Sequence, residues 1–348
     1  MKKIIPHSRP TLGRAEAAAA SRVLLSGQVA QGPEIASFER EAADFLGLRA
    51  AAAVSTGTTA LELSLDALGV GAGHEVLIPD YSCSALLHAV RRTGAEPVLV
   101  DCEDGGDNAD MRDAARKRTR RTKAIILVHL FGETADIAGA RALGVPLIED
   151  CAQALGGRFH GKPLGSFGEA CVLSFYATKM ITTGGEGGMV VSSHQGLVER
   201  IRDLREYDEK PASTPRRNAK LTDLQAAVGR VQLGRLDSFL RLRAKIAAAY
   251  DEAFRGLDVL IPRDPEESAH FRYVLRLNAG RRDAVARRLL RLGVSARVPI
   301  FRPLHHDMGG GRFPQAERAW KESLSIPLYP SLSPSDQAKV IAAVRSAL

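Results

Sequence analysis

The chain has 348 residues, too many for one typical domain and too few for three, so we expect two domains. Hydrophobic residues make up 45% and charged residues 25%, and no apolar run reaches the roughly 18 residues of a bilayer span, which excludes an integral membrane protein. The formal net charge of +8 could indicate nucleic-acid binding. In the arginine-rich segments 112–121 and 281–291, however, the arginines alternate with Ala and Leu, as on the solvated faces of helices. No nucleic-acid partner is therefore expected.

The N-terminal residues and the cysteines indicate a cytoplasmic protein. Residues 1–10 carry two lysines with no apolar stretch behind them, so no signal peptide is expected. The four cysteines are widely spaced, with no CxxC pair and no histidines at zinc-finger spacing, and a reduced environment suits them. Cys102 and Cys171 lie in or beside apolar runs and are expected to be small buried side chains.

Between residues 52 and 192, short β-branched runs end in polar residues and alternate with helical or loop segments. Runs that are buried on both faces and separated by crossover lengths predict an α/β fold with a mainly parallel sheet. Ligand chemistry then belongs at the carboxyl ends of the strands. The predicted strands are 75–78, 97–101, 124–129, 146–150, 170–175 and 189–192.

The C-terminal part of the chain has a different pattern. Apolar residues at helical spacing predict one long helix over 221–255 that leads out of the sheet domain. A Pro-rich turn at 261–265, a strand at 271–277, a helix at 281–292 and a helix after Pro334 then predict a smaller α+β domain. We place the large domain at residues 1–235 and the small one at 236–348.

Residues 55–60, a turn of Ser, Thr, Gly and Ala, precede an amphipathic helix. Free N–H groups, hydroxyls and the positive end of the helix dipole can together bind a phosphate. Ser and Thr are also ordinary helix caps, so the turn by itself is open to either interpretation.

The predicted strand 146–150 ends in two acids, Glu149 and Asp150. A carboxylate that faces the nitrogen of a pyridine ring keeps the ring protonated, which is what makes pyridoxal phosphate an electron sink. An acid at this position could instead be solvated or cap a helix. The spacing leaves open which of the two acids would face a ring.

A single lysine, Lys179, follows the strand 170–175 on a short loop, and glycines at 184–188 return the chain into the next strand. Most lysines are solvated surface charges. A lysine on a glycine-flanked loop at the carboxyl edge of a sheet can instead be desolvated and act as a Schiff-base amine.

Residues 174–179 and the following Gly-Glu-Gly-Gly-Met-Val-Val run resemble the lysine loop of the DegT-type sugar aminotransferases, a branch of the fold-type-I pyridoxal-phosphate enzymes. The resemblance implies a large domain with a mainly parallel sheet and a smaller C-terminal α+β domain. It also implies transfer of an amino group, by family habit from glutamate, to a keto-sugar. Similar blocks occur in order at 55–61, 75–84, 97–101, 128–132, 148–154, 218–232 and 323–331.

The resemblance assigns three residues to the cofactor ring. Lys179 would hold pyridoxal phosphate as a Schiff base and then move the proton between the substrate and the cofactor. Asp150, the second acid of the pair, would face the pyridinium nitrogen. Gln153 would hydrogen-bond the phenolic oxygen of the ring.

The resemblance also assigns four residues to the phosphate group of the cofactor. Thr58, Thr59 and Ser174 would hold it, and Asn218 would reach the same phosphate from the other subunit, which implies a homodimer with shared active sites.

Two features depart from the family pattern. Where the family usually has an aromatic residue to stack on the cofactor ring, this chain has Cys83, whose sulfur can pack against a ring face. Tyr81 would lie on the same strand face as Cys83 and could substitute, provided that the strand continues that far. The glycine run after Lys179 is one residue longer than the commonest family form.

The histidines allow more than one interpretation. His129 ends an apolar strand and is as readily a hydrogen-bonded packing residue as a substrate contact. His305 and His306 lie in a segment that resembles the family's substrate-side loop. No metal site is predicted there, because neither a carboxylate nor a thiol stands at useful spacing.

The leading substrate is a nucleotide-linked keto-deoxysugar, and the alternative is a keto-cyclitol of aminoglycoside synthesis. A dehydratase branch of the family replaces the Schiff-base lysine with histidine, so Lys179 argues against dehydration. A non-catalytic regulator on the same fold would not need Lys179, Asp150 and Gln153 together, which argues against that alternative.

Overall fold

The computed structural model describes residues 4–262, 267–278 and 280–348, and these residues form twelve α-helices and eleven β-strands. The helices are α1 (Arg14–Ser26), α2 (Pro33–Leu46), α3 (Gly57–Ala67), α4 (Ala85–Arg92), α5 (Met111–Lys117), α6 (Ile137–Ala142), α7 (Gln195–Leu204), α8 (Asp223–Gly234), α9 (Leu236–Phe254), α10 (Arg282–Arg291), α11 (Pro314–Glu322) and α12 (Pro334–Ala347). The strands are β1 (Ala50–Val54), β2 (Glu75–Pro79), β3 (Glu96–Val100), β4 (Thr122–Val128), β5 (Leu147–Asp150), β6 (Arg158–Phe159), β7 (Lys162–Pro163), β8 (Ala170–Ser174), β9 (Gly188–Ser192), β10 (Tyr273–Arg276) and β11 (Ser323–Ile326).

Seven strands form the main sheet, in the order β1-β9-β8-β5-β4-β2-β3. Strand β9 is antiparallel to both of its neighbours, and the other four pairings are parallel. The predicted α/β fold with a mainly parallel sheet is therefore confirmed. All six predicted strands are present, with ends that differ by at most two residues.

Strand β1 was not predicted. It consists of four alanines and one valine, and alanine is depleted in strands, so the sequence carries no β-branched signal there. Its position follows from pairing, because all five residues align with β9. Ala51 to Val54 are buried, so small side chains suit a strand that is covered on both faces.

Both faces of the sheet are covered, which is why its strands are apolar along their whole length. Alternate residues of each strand enter different hydrophobic clusters: Ile125 and Leu127 of β4 belong to one, and Ala124 and Ile126 to the other. Helices α2, α5, α6, α8 and the start of α9 cover the first face, and α3, α4, α7 and α11 cover the second. Cys102 and Cys171 are buried in these clusters, as predicted.

The single helix predicted over 221–255 is two helices. Helix α8 ends at Gly234 and α9 begins at Leu236, and the Arg235 N–H donates to Gln232 O at 3.1 Å, a tightened final turn. Glycine favours such a break because it is a poor helix former. The break was not predicted because the apolar residues keep their helical spacing through it. The division into domains at residues 235 and 236 stays a prediction.

A third hydrophobic cluster lies in the C-terminal part of the chain. It joins the end of α9 to the antiparallel pair β10–β11 and to α10 and α12, and it includes Ile5 from the N-terminal segment. The predicted strand at 271–277 and the two later helices are present with slightly narrower bounds. The Pro-rich turn at 261–265 lies partly outside the described residues. No helix among the described residues is both long and apolar enough to cross a bilayer.

Candidate active site

The carboxyl ends of β5 and β8 and the N-terminus of α3 meet at one edge of the sheet. Asp150 is the last residue of β5, which pairs with β8, and Ser174 is the last residue of β8. Gly57 begins α3 so close to Ser174 that an added Cβ would lie 2.8 Å from the Ser174 Cβ. Glycine therefore permits the helix to approach the end of the strand.

The N-terminus of α3 carries Thr58 and Thr59, two of the three hydroxyl residues that the family resemblance assigns to a phosphate. Thr56 caps the helix, since its Oγ1 accepts from the Thr59 N–H at 3.0 Å. The Thr59 hydroxyl lies 2.9 Å from Thr56 Oγ1 and 3.3 Å from Ser55 Oγ. Thr58, Thr59 and Ser174 are all partly exposed. Hydroxyls and the positive end of an eleven-residue helix thus face one small region, which suits an anion.

Lys179 lies on a loop that backbone hydrogen bonds hold in place. Its N–H donates to Tyr176 O at 2.9 Å, and the Ala177 N–H donates to Gly185 O at 2.9 Å. Gly184 and Gly185 have φ angles of 94° and 158°, in the region that side chains rarely adopt. The longer glycine run is therefore accommodated as a turn that returns the chain into β9.

The environment of Lys179 lowers its basicity. Burial lowers the pKa of Lys179; Asp150 and Cys83 partly oppose this effect, and the Arg272 charge adds to it. The Lys179 Nζ lies 5.6 Å from the centroid of the Phe271 ring. A lysine with a lowered pKa has more of the neutral amine, the form that attacks a carbonyl carbon.

The two acids at the end of β5 have different environments. Glu149 is fully buried and accepts from the N–H groups of Gly165, Phe167 and Gly168 at 2.9, 2.6 and 2.8 Å. Burial alone would raise the pKa of Glu149, but the interaction with His129 and the hydrogen bonds from the Gly165 and Phe167 N–H groups bring it below its usual value. Glu149 therefore stabilises the loop before β8.

Asp150 faces the other side of β5, because neighbouring strand residues alternate. Its Oδ1 accepts from the Ala152 N–H at 2.9 Å. Burial raises the pKa of Asp150, and the Ala152 N–H and the Lys179 charge oppose the rise. A buried carboxylate within electrostatic range of the lysine is suited to bind a cationic group.

Gln153 has a fixed side-chain orientation. Its Oε1 accepts from the Phe131 N–H at 2.9 Å, so the Nε2 group remains as the donor end of the amide. Gln153 is buried close to the end of β5. The side chain can therefore donate to an oxygen atom, as the resemblance implies for a phenolic oxygen.

The condition on which Tyr81 could substitute for Cys83 is not met, because β2 ends at Pro79 and its alternation does not extend further. Tyr81 is fully buried and packs edge to face against Phe131, with ring centroids 6.3 Å apart. Cys83 is exposed and close enough to Lys179 to affect its pKa. Of these two residues, Cys83 lies within electrostatic range of Lys179, and Tyr81 is enclosed in the core.

His129 is a packing residue. It is fully buried, its Nδ1 accepts from the Ala135 N–H at 3.1 Å, and its Nε2 lies 3.1 Å from Glu149 Oε2. With Nδ1 accepting, Nε2 carries the proton and donates to the carboxylate. Both ring nitrogens of His129 therefore have hydrogen-bond partners within the core.

The reason given against a metal at His305 and His306 was wrong, because a carboxylate does lie beside them. Glu317 Oε1 is 3.2 Å from His305 Nε2 and also contacts His306 Nε2. Asp80 Oδ2 lies 2.7 Å from His305 Nδ1. Glu317 is on α11, so its proximity depends on tertiary packing. These contacts hold the turn at 304–307 against the loop that follows β2. The absence of a metal at His305 and His306 stays a prediction.

Asn218 is exposed and lies apart from the lysine loop in sequence. Its neighbour Ala219 accepts from the Ser55 N–H at 2.8 Å, and Lys220 forms an isolated bridge with Val54. The segment is thus fixed beside the end of β1, next to the residues that begin α3.

Residues 10–345 match the model of the DegT/DnrJ/EryC1/StrS aminotransferase family. The chain belongs to this family. It is 33% identical to dTDP-3-amino-3,4,6-trideoxy-alpha-D-glucose transaminase of Micromonospora megalomicea subsp. nigra, over 95% of this chain and 94% of that protein. It resembles the structure of the aminotransferase TlmJ from Streptoalloteichus hindustanus with a TM-score of 0.94, 36% identity and coverage of 99% and 98%. The PLP form of Spr1654 from Streptococcus pneumoniae gives a TM-score of 0.93 at 26% identity, with coverage of 99% and 100%.

The DegT-family protein is a sugar aminotransferase that uses pyridoxal phosphate, which confirms the predicted family, enzyme class and cofactor. Its residues fit that cofactor. The hydroxyl-rich N-terminus of α3 suits the phosphate, the buried Asp150 suits a pyridinium cation, and the Nε2 group of Gln153 suits the phenolic oxygen.

Proposed function

We propose that this enzyme transfers an amino group from glutamate to a nucleotide-linked keto-deoxysugar. The observation that carries the proposed chemistry is the buried Asp150 within electrostatic range of Lys179, at the end of β5, the strand that pairs with β8. The name of the Micromonospora relative, a transaminase of a dTDP-linked deoxysugar, supports the substrate class. The free cysteines are consistent with the proposed cytoplasmic location.

Lys179 is proposed to bind the cofactor covalently and to act as the base. When bound, pyridoxal phosphate supplies an electron sink that makes the hydrogen on the substrate's amine-bearing carbon acidic. Once the amine of the donor has replaced it on the cofactor, the freed Lys179 Nζ would take that proton and return it at the neighbouring cofactor carbon, and it would move a proton in the reverse direction for the keto-sugar. Its lowered pKa suits both tasks, because a base works best when its pKa is near the working pH.

Asp150 and Gln153 are proposed to hold the ring. The Asp150 carboxylate keeps the ring nitrogen protonated, and this cation would compensate for the burial of the acid. Gln153 donates from Nε2 to the phenolic oxygen, while Phe131 fixes the other end of its amide. Cys83 is proposed to lie against one face of the ring, where a sulfur atom can replace an aromatic side chain.

Thr58, Thr59 and Ser174 are proposed to bind the phosphate together with Asn218 of a second subunit. The exposed position of Asn218 supports contact with a partner, and its segment lies close to the start of α3. A symmetric dimer would place two such residues across the interface and complete two sites at once.

The substrate class can be tested by loading the protein with pyridoxamine phosphate and adding single ketones. We expect nucleotide-linked 3-keto and 4-keto deoxysugars to restore the visible absorbance of the lysine-bound cofactor, and keto-cyclitols to leave it unchanged. Recovery with a keto-cyclitol alone would replace the proposed substrate with the alternative one.

A mixed dimer tests the shared site. Lys179→Ala alone should be inactive, and Asn218→Ala should bind the cofactor weakly because a phosphate contact is lost. In a dimer of one chain of each kind, the chain that keeps Lys179 meets a partner that keeps Asn218, so one of the two sites is complete. Co-expression of differently tagged chains, purification of the heterodimer and assay at limiting cofactor should therefore recover activity. A verified heterodimer without recovery would mean that Asn218 serves its own chain or no phosphate.

A further inference from the structure

Asn218 lies between two residues that are bonded to the end of α7. The Arg217 N–H donates to Leu204 O at 2.9 Å, and the Ala219 N–H donates to Arg205 O at 2.8 Å. Hydrogen bonds from every second residue are typical of an extended chain, in which neighbouring side chains point to opposite sides. Ala219 is buried and Asn218 is exposed, as this alternation requires.

The side chain of Arg217 binds two acids on α3. Its Nη1 donates to Asp66 Oδ2 at 2.5 Å, and its Nε lies 3.7 Å from Glu62 Oε2. The two acids are one helical turn apart, so both carboxylates lie on one face of the helix. Burial raises the pKa of Glu62, and the charges of Arg92 and Arg217 oppose the rise. The residue before Asn218 is thus fixed on a helix of the same subunit.

The other cations of residues 216–220 bind more exposed acids. Arg216 Nε lies 3.1 Å from Asp203 Oδ1, and Lys220 contacts Asp208. The side chains of Asp203 and Asp208 are 39% and 60% exposed, against 8% for Glu62. Because exposed ion pairs contribute little to stability, the contact with α3 is the better shielded anchor of this segment.

We propose that Arg217 is a positioning residue for the cofactor site of the other subunit, which rests on the proposed shared site. Its side chain, bonded to Asp66 and Glu62, prevents the segment from rotating, so that Asn218 faces the partner in one orientation. An amide binds a phosphate oxygen only over a narrow range of distances and angles, and a mobile segment would weaken that contact. Arg217 acts through Asn218 and not through a phosphate contact of its own.

The homodimeric variants measure the effect on cofactor affinity. Arg217→Gln should raise the dissociation constant of pyridoxal phosphate by about 3- to 10-fold, since a partly exposed charged pair is worth less than a buried one. Arg217→Lys should be intermediate, because it keeps the charge without the planar guanidinium. Excess cofactor should restore the rate in both variants, because the residues at the ring are unchanged.

Arg92→Gln is the matched control. Arg92 Nε lies 3.2 Å from Glu62 Oε1, so it binds the same acid, but it is the last residue of α4 and its side chain is 69% exposed. Its removal should leave the dissociation constant of the cofactor at the wild-type value. A loss of affinity as large as that of Arg217→Gln would assign the effect to the charge balance at Glu62 and would overturn the proposal.

Two mixed dimers decide which subunit Arg217 serves. The first joins a Lys179→Ala chain to an Arg217→Gln chain, and the second joins a wild-type chain to a chain with both substitutions. Each dimer has one site that can form the lysine-bound cofactor, and only in the first dimer does the partner chain of that site keep Arg217. Titration of the visible absorbance should show wild-type affinity in the first dimer and about 3- to 10-fold weaker binding in the second.

The reverse order of affinities would show that Arg217 serves its own subunit, and equal affinities would show that it positions no phosphate ligand; either result overturns the proposal. The same two dimers, built with Asn218→Ala in place of Arg217→Gln, test the shared site separately. If they show the expected difference and the Arg217 dimers do not, the shared site stands and the role of Arg217 is wrong. If neither pair shows it, the shared site is contradicted and the role of Arg217 falls with it.

Discussion

Lys179→Ala is expected to abolish transamination and the visible absorbance of the lysine-bound cofactor while the protein stays folded. Loss of the acid–base step alone should lower the rate by about 10²–10⁴-fold, and loss of the covalent attachment adds to this. Folding should be retained because burial lowers the pKa of Lys179, so the charged side chain carries a desolvation cost that alanine does not. Absorbance spectra, circular dichroism and steady-state rates measure the three properties.

Lys162→Ala is a suitable control for this variant, since Lys162 is an exposed lysine on β7. It should keep both the colour and the rate of the wild-type enzyme. Turnover at the normal rate in Lys179→Ala would show that another amine carries the cofactor.

Asp150→Asn is expected to retain the cofactor but to lose activity by on the order of 10²–10³-fold, because a neutral amide does not hold the proton on the ring nitrogen. Burial raises the pKa of Asp150, so the ionised carboxylate costs stability in the cofactor-free protein. Removal of the charge should therefore not lower the melting temperature of that form. The rate constant and the melting temperature are measured on the same preparation.

Glu149→Gln is the matched comparison at the neighbouring position and should show the opposite pattern. The amide would present an NH₂ group to backbone donors that now point at carboxylate oxygens, which costs about 1–3 kcal/mol for each unsatisfied group. The melting temperature should fall while the rate per folded molecule stays close to wild type. If Glu149→Gln lost more catalytic rate than Asp150→Asn, the wrong acid of the pair would have been assigned to the ring.

The sequence predicted those parts of the fold that have a strong local signal. All six strands that were predicted from β-branched runs are present, because strands covered on both faces are apolar throughout. Strand β1 has an alanine-rich sequence and is defined by its pairing with β9, so no local pattern could identify it. The break at Arg235 was missed because the apolar periodicity continues through it.

The lysine loop and the acid pair were found because both follow strands whose carboxyl ends share one edge of the sheet. The family resemblance, not the spacing, assigned Asp150 rather than Glu149 to the ring, and this assignment stays a prediction. The backbone donors at residues 165, 167 and 168 support it, and only the folded chain brings them to Glu149. Tertiary contacts of the same kind join Glu317 to His305 and bring Phe271 to Lys179. No local sequence signal predicts such pairs.

The most direct test of this account is to locate the lysine that carries the cofactor. Borohydride reduction of the yellow enzyme makes the bond between the cofactor and its lysine permanent, and peptide mass spectrometry then identifies the modified residue. We expect the added mass on the peptide that contains Lys179, in wild-type and Asp150→Asn protein alike, and on no peptide of Lys179→Ala. Modification of a different lysine, or of none in a yellow and active preparation, would contradict the assignment of the site.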